Sequence, residues 1–192
     1  MVMKINKKIV LASASPSRRM LLERAGLAFT VKVSGVDEAV PADFTPAQTV
    51  ECLARRKGRA IQPLCGDAAV IAADSVVSLD GRIIGKPKDD ADAKATLRAL
   101  SGRTHQLYTG VCLLADGKEE VFHQVTDVTF YPLTQEEIDT YVEAGESRGR
   151  AGSYGIEGMG VVLVRSIAGD YANIVGLPVA ETLRRLDAML QG

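Results

Sequence analysis

Several stretches of the sequence place charged side chains where chemistry on an anionic substrate becomes feasible. In "LASASPSRRMLLERAG", residues 11–26, small residues and Pro16 stand before a helix whose first turn carries Arg18 and Arg19. A helix N-terminus presents unpaired N–H groups and the positive end of a dipole, so it is a prepared anion site. Ser13, Ala14 and Ser15 let a bulky anion approach the backbone, and the hydroxyls of Ser13 and Ser15 can donate to it. Arginines add bidentate donors that suit phosphate oxygens. Cations in a first helical turn cost about 0.3–1 kcal/mol unless something negative sits there. The competing reading is an ordinary capped helix with solvated arginines.

The acids that would complement such a pocket are Asp74 and Glu38. Asp74 directly follows the apolar run Ala68–Ala73, which reads as a buried strand. A carboxylate at that strand's end must be paired, hydrogen-bonded or metal-bound, and ligands gather at such strand ends in α/β sheets. Capping a turn or pairing with a lysine would satisfy it equally. Glu38, in the loop "GVDEAV" beside Asp37, would ordinarily be solvated. Set near Asp74, it would complete an oxygen site for Mg²⁺, which takes one or two carboxylates plus substrate phosphates.

Two lysines join them. Lys57 falls on the apolar stripe of a helix with Val50, Leu53 and Ala54, so it either snorkels out of the core or reaches into a pocket. Lys86, in "IIGKPK", is held between Gly85 and Pro87 at a strand end, where it could contact phosphate. A P-loop is excluded there, because three residues rather than four separate the glycines and proline follows the lysine. "AGSYGIEGMG", residues 151–160, lacks the spacing of a dinucleotide fingerprint. Its glycines either permit tight turns or bare backbone N–H groups for a ligand, and Glu157 among them could read a base edge. His105 and His123 have no acid or nucleophile at telling distance and read as structural. Cys52, Cys65 and Cys112 are scattered, with no zinc spacing and no reactive context.

The elements that must position these residues follow from caps, turns and periodicity. Ile9–Ala12 predicts a short strand. Ser15 caps a helix with Pro16 at its first position, running to Ala25 and stopped by Gly26. Phe29–Val33 alternates as a second strand. Thr45, Pro46 and Gln48 form the capping box of the helix that carries Lys57. Asp80-Gly81 and Asp116-Gly117 are two-residue hairpin turns between apolar runs. Further helices are predicted at Ala91–Leu100, Gln135–Ala144 and Val179–Leu190. Strands interleaved with helices, plus two hairpins, give an α/β class with a mixed rather than wholly parallel sheet.

Size and charge narrow the function classes. A chain of 192 residues with net charge −1 has no basic excess for nucleic acid as a partner. The apolar runs fall short of the roughly 20 residues that span a bilayer. Met1–Lys8 is basic, but the "IVLASAS" after it is too short for a signal peptide. Scattered, unpaired cysteines suit a reducing cytoplasm.

Taken together, the motifs resemble the Maf family of nucleoside triphosphate pyrophosphatases, also known as septum formation inhibitors. The resemblance rests on "LASASPSRRMLLERAG", "GVDE", "LARRKG", "AADSVV", "GKP", "LSGRTHQLYTG", "AGSYGIEGMG" and "NIVGLP", in order along nearly the whole of residues 1–192. It implies one domain with a twisted mixed β-sheet flanked by helices in two lobes around a cleft, as in the inosine triphosphate pyrophosphatase-like group, and often a homodimer. It implies hydrolysis of an NTP to NMP and diphosphate with Mg²⁺ or Mn²⁺. Phosphate contacts fall on Ser13, Arg18, Lys57 and Lys86, with Ser15 and Arg19 close by. Glu38 and Asp74 hold the metal, and Asp74 is the general base. At the three specificity positions the dTTP/UTP branch carries Arg, Thr and Gln, and the 7-methyl-GTP branch an aromatic residue, Gln and Glu. Here they are Ser17, Ser75 and Glu157, which match neither branch in full. A rival reading is a nucleotide-binding regulator of cell division whose hydrolysis is incidental.

Overall fold

The structure is a computed structural model describing residues 5–192, so the first four residues of the basic Met1–Lys8 stretch lie outside it. Its strands are β1 (Ile9–Leu11), β2 (Thr30–Val31), β3 (Ala69–Leu79), β4 (Arg82–Ile84), β5 (Thr104–Ala115), β6 (Lys118–Phe130) and β7 (Val164–Ala168). They form one mixed seven-stranded sheet in the order β2-β1-β3-β5-β6-β7, with β4 paired to β3. β1 runs parallel to β2 and β3, whereas β4 and β7 pair antiparallel. Its helices are α1 (Pro16–Arg24), α2 (Pro46–Ile61), α3 (Asp90–Leu100), α4 (Gln135–Glu143), α5 (Tyr171–Val175) and α6 (Val179–Gln191).

The chain divides into two compact units, and β3, β5 and β6 each contribute residues to both. The first comprises residues 1–74, 109–124 and 176–192. Its core packs Val10, Val70, Ala72, Cys112 and Leu114 of the sheet, with Ala12 just after β1, against Ala54 and Ile61 of α2. Burial pushes the Cys112 thiol up to about 12, which keeps it protonated and inert. The second unit comprises residues 75–108 and 125–175. There His105, Phe130 and Tyr154 stack edge to face, with centroids 4.8–5.4 Å apart. His105 Nε2 lies 2.8 Å from the Tyr154 hydroxyl, and its Nδ1 has no partner. Burial pushes this imidazole down to about 4, so it is neutral and structural.

Both hairpin turns form as expected. Asp80 and Gly81 take φ of 52° and 78°, and Asp116 and Gly117 take 50° and 76°, the left-handed pair of a type I′ turn. Two expectations need correction. The strand over Phe29–Val33 shrinks to two exposed residues at the sheet edge, where alternation has no core face to serve. Asp74 lies within β3 rather than at its end, because pairing with β4 prolongs the strand to Leu79. β7 and α5 went unforeseen: four of the five β7 residues are exposed, and five-residue α5 is too short to show a period. Among the described residues, no helix is long and apolar enough to cross a membrane.

Candidate active site

The first unit assembles its charged residues around helix α2. The capping box starts the helix: Thr45 Oγ1 accepts from the Gln48 amide at 3.2 Å, and Gln48 Oε1 accepts from the Thr45 amide at 2.9 Å. Val50, Leu53, Ala54, Gly58 and Ile61 are buried on one face. Two glycines bring that face down onto β5. A Cβ at Gly110 would lie 2.4 Å from the Val50 carbonyl, and one at Gly58 would lie 3.1 Å from Cys112 Sγ. Helix and strand therefore meet backbone to backbone, with no room for a methyl group at Gly110.

Lys57, adjacent to Gly58, reaches into the site rather than out to solvent. Its Nζ donates to Asp74 Oδ1 at 2.6 Å and lies 2.6 Å from Glu38 Oε1. The Lys57 and Asp74 side chains are each only 13% exposed, whereas that of Glu38 is 56% exposed. The two carboxylate oxygens share one nitrogen, so they lie no farther apart than twice that distance. Sequence reasoning missed the residue that holds the Glu38 loop. Arg56 Nη1, one position before the lysine, donates to the carbonyls of Asp37 at 2.5 Å and Ala39 at 2.9 Å, on either side of Glu38. α2 thus fixes one acid through a lysine and carries the loop of the other on an arginine.

The α1 entrance faces the same charges. Ser15 caps the helix by accepting from the Arg18 amide, at 3.4 Å. Ser13 Oγ accepts from the Ser15 amide at 3.2 Å and from Arg18 Nη1 at 3.1 Å. Arg18 Nε donates to the Gly176 carbonyl at 2.8 Å, a contact that explains the "NIVGLP" stretch and that no spacing rule would find. Burial pushes the Arg18 guanidinium below its ordinary range, and the carboxylates of Asp74 and then Glu38 draw it back up. Arg19 does not join them. It lies exposed along its own helix, paired with Glu23 at 3.1 Å. Ser17 is half-buried on α1.

Arg18, Lys57, Glu38 and Asp74 carry two positive and two negative charges, so this set is neutral as it stands. Among the described residues, no group of three or more His, Cys, Asp and Glu side chains converges as a metal cage. Mg²⁺ nevertheless fits the donor set. It needs only one or two carboxylates and completes its shell with waters and phosphate oxygens. The Lys57 ammonium shows that both acids already converge on one cation.

The other sequence candidates belong to the second unit. Ser75 follows Asp74 on β3 and points to the opposite face of the pleat. Lys86 is exposed just after β4, next to Gly85, whose carbonyl accepts from the Gly152 amide at 3.2 Å. That bond ties the lysine's segment to the glycine-rich loop. In the loop Gly152 and Ser153 are both left-handed, with φ of 70° and 63°, and Tyr154 is buried. Glu157 accepts from Arg150 Nη1 at 2.7 Å, a second partner that sequence reasoning missed. His123 pairs with Glu51 at 2.7 Å in the first unit, as a structural histidine would.

A family model described as "Maf-like protein" matches residues 8–189. The dTTP/UTP pyrophosphatase of Bacillus pumilus is 46% identical over 180 residues, covering 94% of this chain and 95% of that one. The protein of the same name from Bacillus cytotoxicus is 48% identical, covering 94% of each. Among solved structures, the nucleoside-triphosphatase / dITP/XTP pyrophosphatase of Mycobacterium abscessus aligns with a TM-score of 0.41 at 18% identity, over 72% of this chain and 95% of that one. The Ham1 protein of Staphylococcus aureus gives 0.44 at 20% identity, over 66% and 73%.

Proposed function

Because the chain belongs to the Maf-like protein family, we propose that it hydrolyses nucleoside triphosphates to the monophosphate and diphosphate, with dTTP and UTP as its first substrates. The observation that carries this reading is the convergence of Glu38 and Asp74 on one ammonium beside Arg18. The relatives' name, dTTP/UTP pyrophosphatase, supports the pyrimidine preference.

Attack at the α-phosphorus needs an activated water, and cations around the leaving diphosphate. Asp74 is the general base: an acid on a strand has the fixed position that proton abstraction requires, and it releases Lys57 to do so. Lys57 then turns its ammonium to a phosphate oxygen, where it offsets charge on the departing group. Arg18, held by Ser13 and Gly176, keeps its guanidinium at a fixed orientation, and the α1 N-terminus adds its dipole. Mg²⁺ or Mn²⁺ would be held by Glu38 and Asp74, and would there neutralise phosphate charge and acidify a bound water. A set whose own charges cancel needs such an ion to accept a polyanion. Lys86 enters as a further phosphate contact, Ser15 and Arg19 as neighbours of the phosphates, and Ser17, Ser75 and Glu157 as the base-reading positions. Residues 1–192 act as one catalytic domain in the cytoplasm, with a nucleotide rather than nucleic acid or membrane as its partner.

The deciding experiment is a panel of ordinary and modified NTPs with Mg²⁺ or Mn²⁺, scored for diphosphate against orthophosphate. Diphosphate from dTTP and UTP is expected. Orthophosphate as the first product would place attack at another phosphorus, and no turnover of any NTP would favour a binding regulator.

A further inference from the structure

Arg150 and Glu157 are too well seated for an ornamental surface pair. Arg150 Nη1 donates to Glu157 Oε1 at 2.7 Å, and the Glu157 side chain is only 18% exposed. The guanidinium occupies space that a glycine leaves empty: a Cβ on Gly155 would fall 2.4 Å from Nη1 and 2.5 Å from Cζ. The loop under it is pinned. The Gly155 amide donates to the Tyr141 hydroxyl at 3.1 Å, and the Met159 amide donates to Glu146 Oε2 at 2.8 Å. Lone rim pairs wander, but one seated on an anchored loop keeps its geometry.

A carboxylate oxygen held by a guanidinium accepts hydrogen bonds and donates none. An acceptor-only reader selects bases that present a ring N–H, such as the imide of uracil or thymine and the lactam of guanine or hypoxanthine. The corresponding ring nitrogen of cytosine and adenine is itself an acceptor, and would face the carboxylate lone pair to lone pair. An amide at this position could offer either polarity and the carboxylate offers one, while the arginine fixes the direction in which that acceptor points. We infer that Arg150 is a specificity-positioning residue, which fixes Glu157 as an acceptor so that the base subsite takes nucleobases bearing a ring N–H. This rests on the pyrophosphatase reading and on Glu157 facing the base.

The test compares a non-hydrolysable α,β-imido UTP with its N3-methyl derivative, in which the N–H is replaced by N–CH₃. Binding is measured calorimetrically for the wild type, Arg150→Met and Arg150→Lys, with fold checked by near-ultraviolet circular dichroism. The wild type is expected to prefer the unmethylated nucleotide by about tenfold or more. Arg150→Met should bring that ratio toward one by weakening the unmethylated nucleotide alone, and Arg150→Lys should restore most of it. If the wild type binds both nucleotides equally, or Arg150→Met weakens both alike, the inference fails. Equal binding of both nucleotides by the wild type overturns the inference even if Arg150→Met does not fold. Binding is read without turnover, so an absence of diphosphate release would count against the pyrophosphatase reading and leave this result standing.

Discussion

Replacing Lys57 with methionine isolates the electrostatic logic of the site. The substitution keeps most of the side chain's volume and removes the charge that Asp74 and Glu38 share at 2.6 Å each. The two carboxylate oxygens are then left about 5 Å apart at most. Like charges at that separation repel by about 3 kcal/mol at an effective dielectric near 20, and by about 1 kcal/mol in water. Glu38 is more than half exposed, which puts the net cost toward the lower figure. The vacated position, between two acids, should then accept a divalent ion without waiting for a nucleotide. The assay is guanidinium unfolding with and without Mn²⁺, in the absence of nucleotide. The wild-type midpoint should hardly move, since Lys57 competes for the same oxygens. Lys57→Met should start less stable and regain about 2.7 kcal/mol when Mn²⁺ stands 100-fold above its dissociation constant. A second change, Glu38→Gln, should remove most of that gain. If Mn²⁺ stabilises the wild type as much as the variant, Lys57 is not the ion's competitor and the reasoning is refuted.

Asp74→Asn should fold normally, by circular dichroism, and lose about 10²–10⁴-fold in kcat for dTTP or UTP, the share of a positioned general base; wild-type turnover would reassign the base. His105 is neutral in the fold, whereas the unfolded chain takes up a proton below 6.5, so stability should fall as pH drops from 6.5 toward about 4. At about 1.4 kcal/mol per unit the whole loss approaches about 3 kcal/mol. Denaturant titrations at pH 7, 6 and 5 should show a flatter slope in His105→Gln, and an identical slope would exclude this group. Gly110→Ala should destabilise by about 1–3 kcal/mol or more, because its methyl meets main chain rather than a yielding side chain; a thermal midpoint within a degree of wild type would contradict the packing.

What sequence reading captures here is what neighbouring residues decide. Ser15 and Pro16, Thr45 with Gln48, and the two Asp-Gly turns each act over two to four positions, and each forms where its chemistry demands. Lys57 betrayed itself by breaking an apolar stripe. The failures are those of distance and context. Nothing local tells Asp74 that β4 will prolong its strand, nor tells Arg19 that Glu23 will pair with it. Arg56 and Arg150 act through carbonyls and a carboxylate 7 to 19 residues away, across turns whose course depends on the finished fold. The meeting of Glu38 with Asp74 likewise belongs to tertiary structure.

The bare contact between α2 and β5 has a consequence for how this site could be redesigned. Where a helix rides on a cushion of side chains, swapping a leucine for a methionine slides it by fractions of an ångström. At Gly110 there is no cushion to exchange, so the height of α2 above the sheet there is inherited from main-chain geometry. Tuning has to come from the outer surface of the same helix, where Arg55 and Arg59 grip Glu119. Altering that grip would tilt α2 about its glycine fulcrum and leave every polar group of the site chemically untouched.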